Sequence, residues 1–123
     1  MSLEKSYNHG SNLISAEEIE TMNRKGPDPK VVASNVYKVL LENERVRVFD
    51  VHFKPGAKAV MHWHPDHVAY IISGGTLKLK MGDGKEESME IPTGQAIWLD
   101  SQSHEAVNVG KSDVHVIVVE LLK

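Results

Sequence analysis

From residue 31 onward the chain alternates apolar and polar positions in short bursts, the period-two signature of half-buried strands. Strands are predicted over residues 35–41, 45–53, 60–64, 67–73, 76–81, 87–91, 96–99, 105–109 and 114–122. Turn chemistry separates them: Glu42-Asn43-Glu44, Pro55-Gly56, Gly74-Gly75 and, as the strongest hairpin signal, Gly82-Asp83-Gly84. Many short strands at near-regular spacing imply an all-β sandwich or barrel. The opening residues differ. Asn8 to Asn12 is polar and contains Gly10, the composition of a loosely held arm. Ser15-Ala16-Glu17-Glu18 fits a capping box, with Ile14 and Ile19 at the staple positions. A short helix is therefore predicted over residues 15–24, stopped by Gly26-Pro27. The organisation read from this pattern is an arm with a short helix over 1–30 and one β domain over 31–123.

Composition narrows the classes. A chain of 123 residues can bury a real core in one domain. A formal charge of −3 without a basic stripe argues against nucleic-acid binding. The absence of cysteine excludes disulfides, thiolate metal sites and thiol nucleophiles. No apolar run approaches a membrane span and no signal-peptide pattern opens the chain, so a cytoplasmic location without membrane contact is the default expectation.

The candidate chemistry lies in the histidines. Of seven, three fall in the run Met61-His62-Trp63-His64-Pro65-Asp66-His67. On a strand, His62 and His64 sit two apart with both rings on one face. Pro65-Asp66 suits the centre of a β-turn, which would set His64 and His67 opposite each other across a two-residue hairpin. A proline first in that turn favours types I or II, which match strand twist less well than the primed turns. If the hairpin forms, three imidazoles converge. A lone His-x-His is often no more than exposed polar decoration. The third histidine, with Gly56 and Gly74 flanking the run, favours a metal site.

These residues resemble a known family. Gly56, five residues, His62-Trp63-His64, then Tyr70-Ile71-Ile72-Ser73-Gly74 is similar to the first cupin motif, G-x5-H-x-H-x3,4-E-x6-G. Gly94, Asp100, His104 and Asn108 resemble the second, G-x5-P-x-G-x2-H-x3-N. The resemblance implies a double-stranded antiparallel β-helix, a jelly-roll barrel, across about residues 31–123. It also implies one metal inside, held by His62, His64, His67 and His104. His67 stands where the family carries glutamate, with a connecting loop one residue short. Asp100 stands for the family's proline and Gln102 for a glycine, and His104 arrives one residue early. Exchanging Glu for His removes a negative charge, so a divalent ion would keep nearly its full charge and attract anionic or bidentate oxygen ligands. Four imidazoles suit closed, tetrahedral zinc, whereas three leave positions open for water, substrate or dioxygen. Zinc, iron, nickel, manganese and copper all remain compatible.

Around the cluster, His52 is a candidate partner of the ligand imidazoles. His115 is read as a strand histidine bonded to backbone, and His9 as a solvated arm residue. Asp50, Glu105 and Gln102 are candidates to accept the imidazoles' N–H, and Asp66 is read as a turn cap. Trp98 is expected in the core. Met61, Trp63, Val68, Tyr70 and Ile72 then point away from the metal and form an apolar outer face, for which a two-fold homodimer is the expected cover. Two functions are carried forward. One is a metal-dependent enzyme acting on a small oxygen-bearing metabolite, by dioxygenase- or isomerase-type chemistry at a mononuclear all-histidine site. The other is a cupin that binds or senses a small molecule or metal without turnover. No residue is singled out as general acid or base.

Overall fold

Asp28-Pro29 opens a helix that the strand reading of residues 31 onward missed. In the computed structural model, which describes residues 24–122, the Asp28 side chain caps α1 (Pro29–Val32) by accepting the Lys30 N–H at 3.0 Å. An acceptor at the N-cap followed by proline at the first helical position is a legible start signal. The helix predicted over 15–24 and the arm before it, with His9, lie outside the described residues, Arg24 excepted.

Nine strands follow α1: β1 (Tyr37–Glu42), β2 (Val46–Phe53), β3 (Lys58–His64), β4 (His67–Ser73), β5 (Gly75–Met81), β6 (Glu86–Ile91), β7 (Ala96–Leu99), β8 (Gln102–Asn108) and β9 (Val114–Leu121). Each predicted strand exists. The largest boundary difference is β8, which begins three residues before the predicted start and so includes His104. The strands pair antiparallel in two sheets, one ordered β1-β2-β9-β4-β7 and the other β3-β8-β5-β6. Two facing sheets with this mutual crossing form a double-stranded β-helix, the fold expected from the motif resemblance.

The expected β3–β4 hairpin does not form. β3 pairs with β8 in one sheet, and β4 lies between β7 and β9 in the other. Pro65-Asp66 therefore carries the chain across from sheet to sheet. This outcome agrees with proline's preference for turns whose twist does not suit a tight hairpin. Asp66 ties down the far side by accepting the Ser101 N–H at 2.9 Å.

Alternate residues of each strand face the space between the sheets. From β2 come Arg47, Phe49, Val51 and Phe53, and from β9 Val114, Val116, Val118 and Glu120. One end of the interior is thus apolar and the other charged. On β3 the alternation breaks. A bulge between Ala59 and His62 shifts the phase by one residue, so Ala59, His62 and His64 all face inward. Gly74 packs against the turn after β6, where an added Cβ would lie 1.8 Å from the Ile91 carbonyl oxygen.

The outer surfaces differ from expectation. Because β3 and β4 belong to different sheets, their outward residues do not form one continuous face. The Arg24 guanidinium lies 5.1 Å from the centre of the Trp63 ring and partly covers it. Tyr70, Ile72 and Trp98 remain exposed on the five-stranded sheet. Trp98, expected in the core, is 55% exposed and donates its indole N–H to Asp100 at 2.8 Å. It alternates with Ile97 and Leu99, and those two positions face the interior of this short strand.

Candidate metal centre

Four buried imidazoles meet at the junction of the apolar and charged layers. His62 and His64 come from β3, His104 from β8 and His67 from the start of β4 in the opposite sheet. His62 and His104 are direct cross-strand neighbours. Ring centres lie 4.7 Å apart for His62–His64, 4.8 Å for His62–His104, 5.1 Å for His64–His104 and 4.5 Å for His64–His67.

Every one of these rings has its Nδ1 against an acceptor. His62 donates to the Val60 carbonyl at 2.6 Å, the carbonyl freed within the bulge. His64 donates to Glu120 Oε2 at 2.7 Å, His67 to the Pro65 carbonyl at 2.8 Å and His104 to Gln102 Oε1 at 2.7 Å. With the proton fixed on Nδ1, each Nε2 is left as a lone pair. One donor atom each from His62, His64 and His104 all lie within 4.8 Å of one another, and among the described residues this triad is the group that satisfies that spacing. His67 touches the triad through His64 but is not part of that mutually close set.

The electrostatics keep the nitrogens unprotonated. Burial pulls all four imidazoles below their ordinary pKa of 6.5, furthest for His64 and His104, where the neighbouring imidazoles add to the effect. Glu120 is fully buried on β9. Burial pushes its carboxyl up, against the opposing pull of Arg47 at 3.2 Å and Arg24 at 3.4 Å. Arg47 is itself buried and forks onto Asp28, with contacts of 2.8 and 3.2 Å. From β1, the Tyr37 hydroxyl reaches His64 Nε2 at 3.1 Å and His62 Nε2 at 3.4 Å. Burial raises the Tyr37 pKa, with the Glu120 charge adding to it, so the phenol keeps its proton and donates.

The donor set fits a divalent transition ion. Neutral imidazole nitrogens, each oriented by an acceptor on its far side, are the arrangement such ions require.

The family profile described as "Cupin domain" matches residues 49–120. The chain belongs to the cupin family. Among solved structures, a cupin domain from Bordetella pertussis Tohama I is 24% identical, with TM-score 0.64 over 70% of this chain and 91% of that one. A protein with a double-stranded β-helix domain from Klebsiella pneumoniae is 23% identical, with TM-score 0.56 over 90% and 84% of the two chains. The polyketide cyclase RemF from Streptomyces resistomycificus is 20% identical, with TM-score 0.52 over 71% and 64%. At these identities the likeness concerns the fold alone. No protein of curated function matches the chain.

Within this cupin the motif residues divide by role. Asn108 is buried and structural: its amide donates to the Phe53 and Ser112 carbonyls at 3.0 and 2.9 Å, and its oxygen accepts the Gly110 N–H. Gly56 adopts φ +84°, a turn conformation that favours glycine. Of the suggested partners, Gln102 holds His104, whereas Glu105 pairs with Lys58 and Asp50 with His115. His115 therefore binds a carboxylate on the outer face, not backbone, and the neighbouring His52 pairs with Asp113 there rather than supporting the metal ligands. Sequence reading missed Glu120, Tyr37 and Arg47. Glu120 and Arg47 had a signal: each is a lone charge at an inward position of an otherwise apolar alternation. Tyr37 looks like any strand aromatic.

Proposed function

We propose that this cupin is a metal-dependent enzyme acting on a small oxygen-bearing metabolite, by dioxygenase- or isomerase-type chemistry at a mononuclear all-histidine site. The observation that carries the reading is the commitment of all four Nδ1 atoms to acceptors, with the His62, His64 and His104 donor atoms mutually close. His62, His64 and His104 would hold the ion, and His67 would supply a fourth nitrogen from the opposite sheet. Bound there, a divalent transition metal supplies Lewis-acid polarisation of an oxygen ligand or, if redox-active, one-electron chemistry with dioxygen.

The protein's residues do the rest. Glu120 orients His64 and raises its basicity, while Arg47 and Arg24 hold Glu120 in place. The Tyr37 phenol, kept protonated by burial, donates to His64 Nε2 here; with that nitrogen on an ion, the released hydroxyl would position a substrate oxygen. A cavity of about 70 Å³ adjoins His64, His67 and His104. Such space supports turnover over a closed structural site, because a substrate needs room beside the ion. By this reading the protein works in the cytoplasm as a homodimer, its exposed Tyr70, Ile72 and Trp98 supplying apolar surface for a partner copy.

Metal analysis of protein purified without nickel affinity tests the proposal. One equivalent of a divalent transition metal in the wild type, lost in His62→Ala and in His104→Ala with the fold retained by circular dichroism, is the expected result. Equal metal content in wild type and variants would defeat it.

A further inference from the structure

The walls of the cavity beside the histidines carry information that the donor set does not. Beyond the imidazoles, the lining comes from both sheets and includes Val51, Phe53, Ile71, Leu77, Leu79 and Val118. Tyr37, His64, His67 and His104 supply its polar groups, and no lysine, arginine, aspartate or glutamate lines it among the described residues. The nearby buried charges face elsewhere: Arg47 onto Asp28 and Glu120, and Arg24 onto Glu120 and the Trp63 carbonyl. The polar groups are thus gathered at one end of an otherwise apolar chamber.

The part of a ligand that enters this chamber leaves water and regains polar partners only at Tyr37 and the histidines. A carboxylate, phosphate or row of hydroxyls on the body would be buried without a partner, which is costly. A hydrocarbon body gains on the same transfer. The geometry points to a ligand with a chelating oxygen head at the histidines and an uncharged, apolar body along Val51, Ile71, Leu77 and Leu79. Compact dianions and phosphorylated or polyhydroxylated metabolites are selected against. This inference rests on the metal reading above for the head and on the chamber alone for the body.

The test uses a ladder of hydroxamates against the protein loaded with cobalt(II), read by calorimetry and by the visible spectrum. Acetohydroxamate, propionohydroxamate and butanohydroxamate share one head and lengthen the body by one methylene each. Affinity is expected to rise with each methylene, by up to about fourfold, the factor for full burial. Succinic acid monohydroxamate, which carries a carboxylate where the butano compound ends in a methyl, is expected to bind at least about tenfold more weakly than butanohydroxamate. A flat ladder, or a succinyl compound as tight as the butano one, overturns the inference. A second arm needs no metal: benzene, which has no ligating atom, should shift the methyl NMR signals of Ile71, Leu77 and Leu79 in the metal-free protein. If no metal binds but benzene shifts those methyls, the metal proposal falls and the apolar body stands. Benzene shifts absent from those methyls overturn it.

Discussion

Glu120 and His64, 56 residues apart in sequence, are joined by a 2.7 Å hydrogen bond from the imidazole Nδ1–H to a fully buried carboxylate. The other three ring N–H groups find acceptors two residues away on their own chain segments, at Val60, Pro65 and Gln102. His64 alone depends on a distant strand, and its acceptor alone carries a formal charge.

Replacing that acceptor should therefore weaken metal binding without removing a ligand. Glu120→Gln keeps the shape but discards the charge that makes His64 a better donor. A loss of about 10- to 100-fold in metal affinity is expected. Competition against a chromophoric chelator measures it, and an affinity equal to wild type would show that Glu120 only anchors Arg47 and Arg24.

Acid should destabilise the metal-free protein. The four buried imidazoles have folded pKa values below 6.5, so between 6.5 and those lower values the unfolded chain binds more protons than the folded one. Their contribution is complete above about pH 6.5 and is lost as pH falls, at up to about 1.4 kcal/mol per pH unit for each histidine. Glu120 has the opposite sign: its folded pKa is raised above 4.5, so the folded state takes up that proton first, which opposes the decline from the imidazoles. Urea midpoints at pH 7.5 and 5.5 should show the decline. A level profile would contradict the buried, neutral state of the rings.

His67 provides a finer test of coordination. Because it stands outside the mutually close triad but against His64, His67→Ala should retain the ion and replace one nitrogen around it by water. The d–d spectrum of the cobalt(II)-loaded variant should then change, as one nitrogen of the ligand set would be exchanged for a water oxygen. Identical spectra before and after the substitution would remove His67 from the ligand set.

Two glycines should respond differently to alanine. At Gly74 the new methyl would strike the Ile91 carbonyl, backbone that has little freedom to yield. A loss of about 3 kcal/mol or more is expected. At Gly56 the added Cβ meets open space, and the cost is only that of φ +84° for an L-residue, about 1–2 kcal/mol. Thermal melts of the two variants measure the gap, and a reversed order would mean that the turn after β6 rearranges freely.

Period-two alternation located every strand because half-buried strands must alternate. It could not say which strands pair. His64-Pro65-Asp66-His67 reads equally well as a hairpin and as a crossing between sheets, and only the pairing of β3 with β8 decides. The convergence of His64 and His67 was legible all the same, since both arrangements bring corner residues together. The bulge on β3 was not legible, because an extra residue in one strand is defined only by its partner. Gln102 was found as an acceptor because it lies near His104 in sequence. Glu120 was not, because nothing local links it to His64. The Asp28-Pro29 helix start was read as part of the N-terminal arm, and Trp98 as core, although Ile97 and Leu99 already fixed its neighbours inward.

The place of β9 sets an order of assembly. It is the last of the nine strands to leave the ribosome, yet it sits at the centre of its sheet, with β2 on one side and β4 on the other. Until it inserts, β1-β2 and β4-β7 are separate pieces with raw edges, and His64 has no carboxylate to face. An ion that needs His64 oriented by Glu120 would therefore find its site complete only after synthesis of this strand, and a chain stalled before it would expose the edges of β2 and β4.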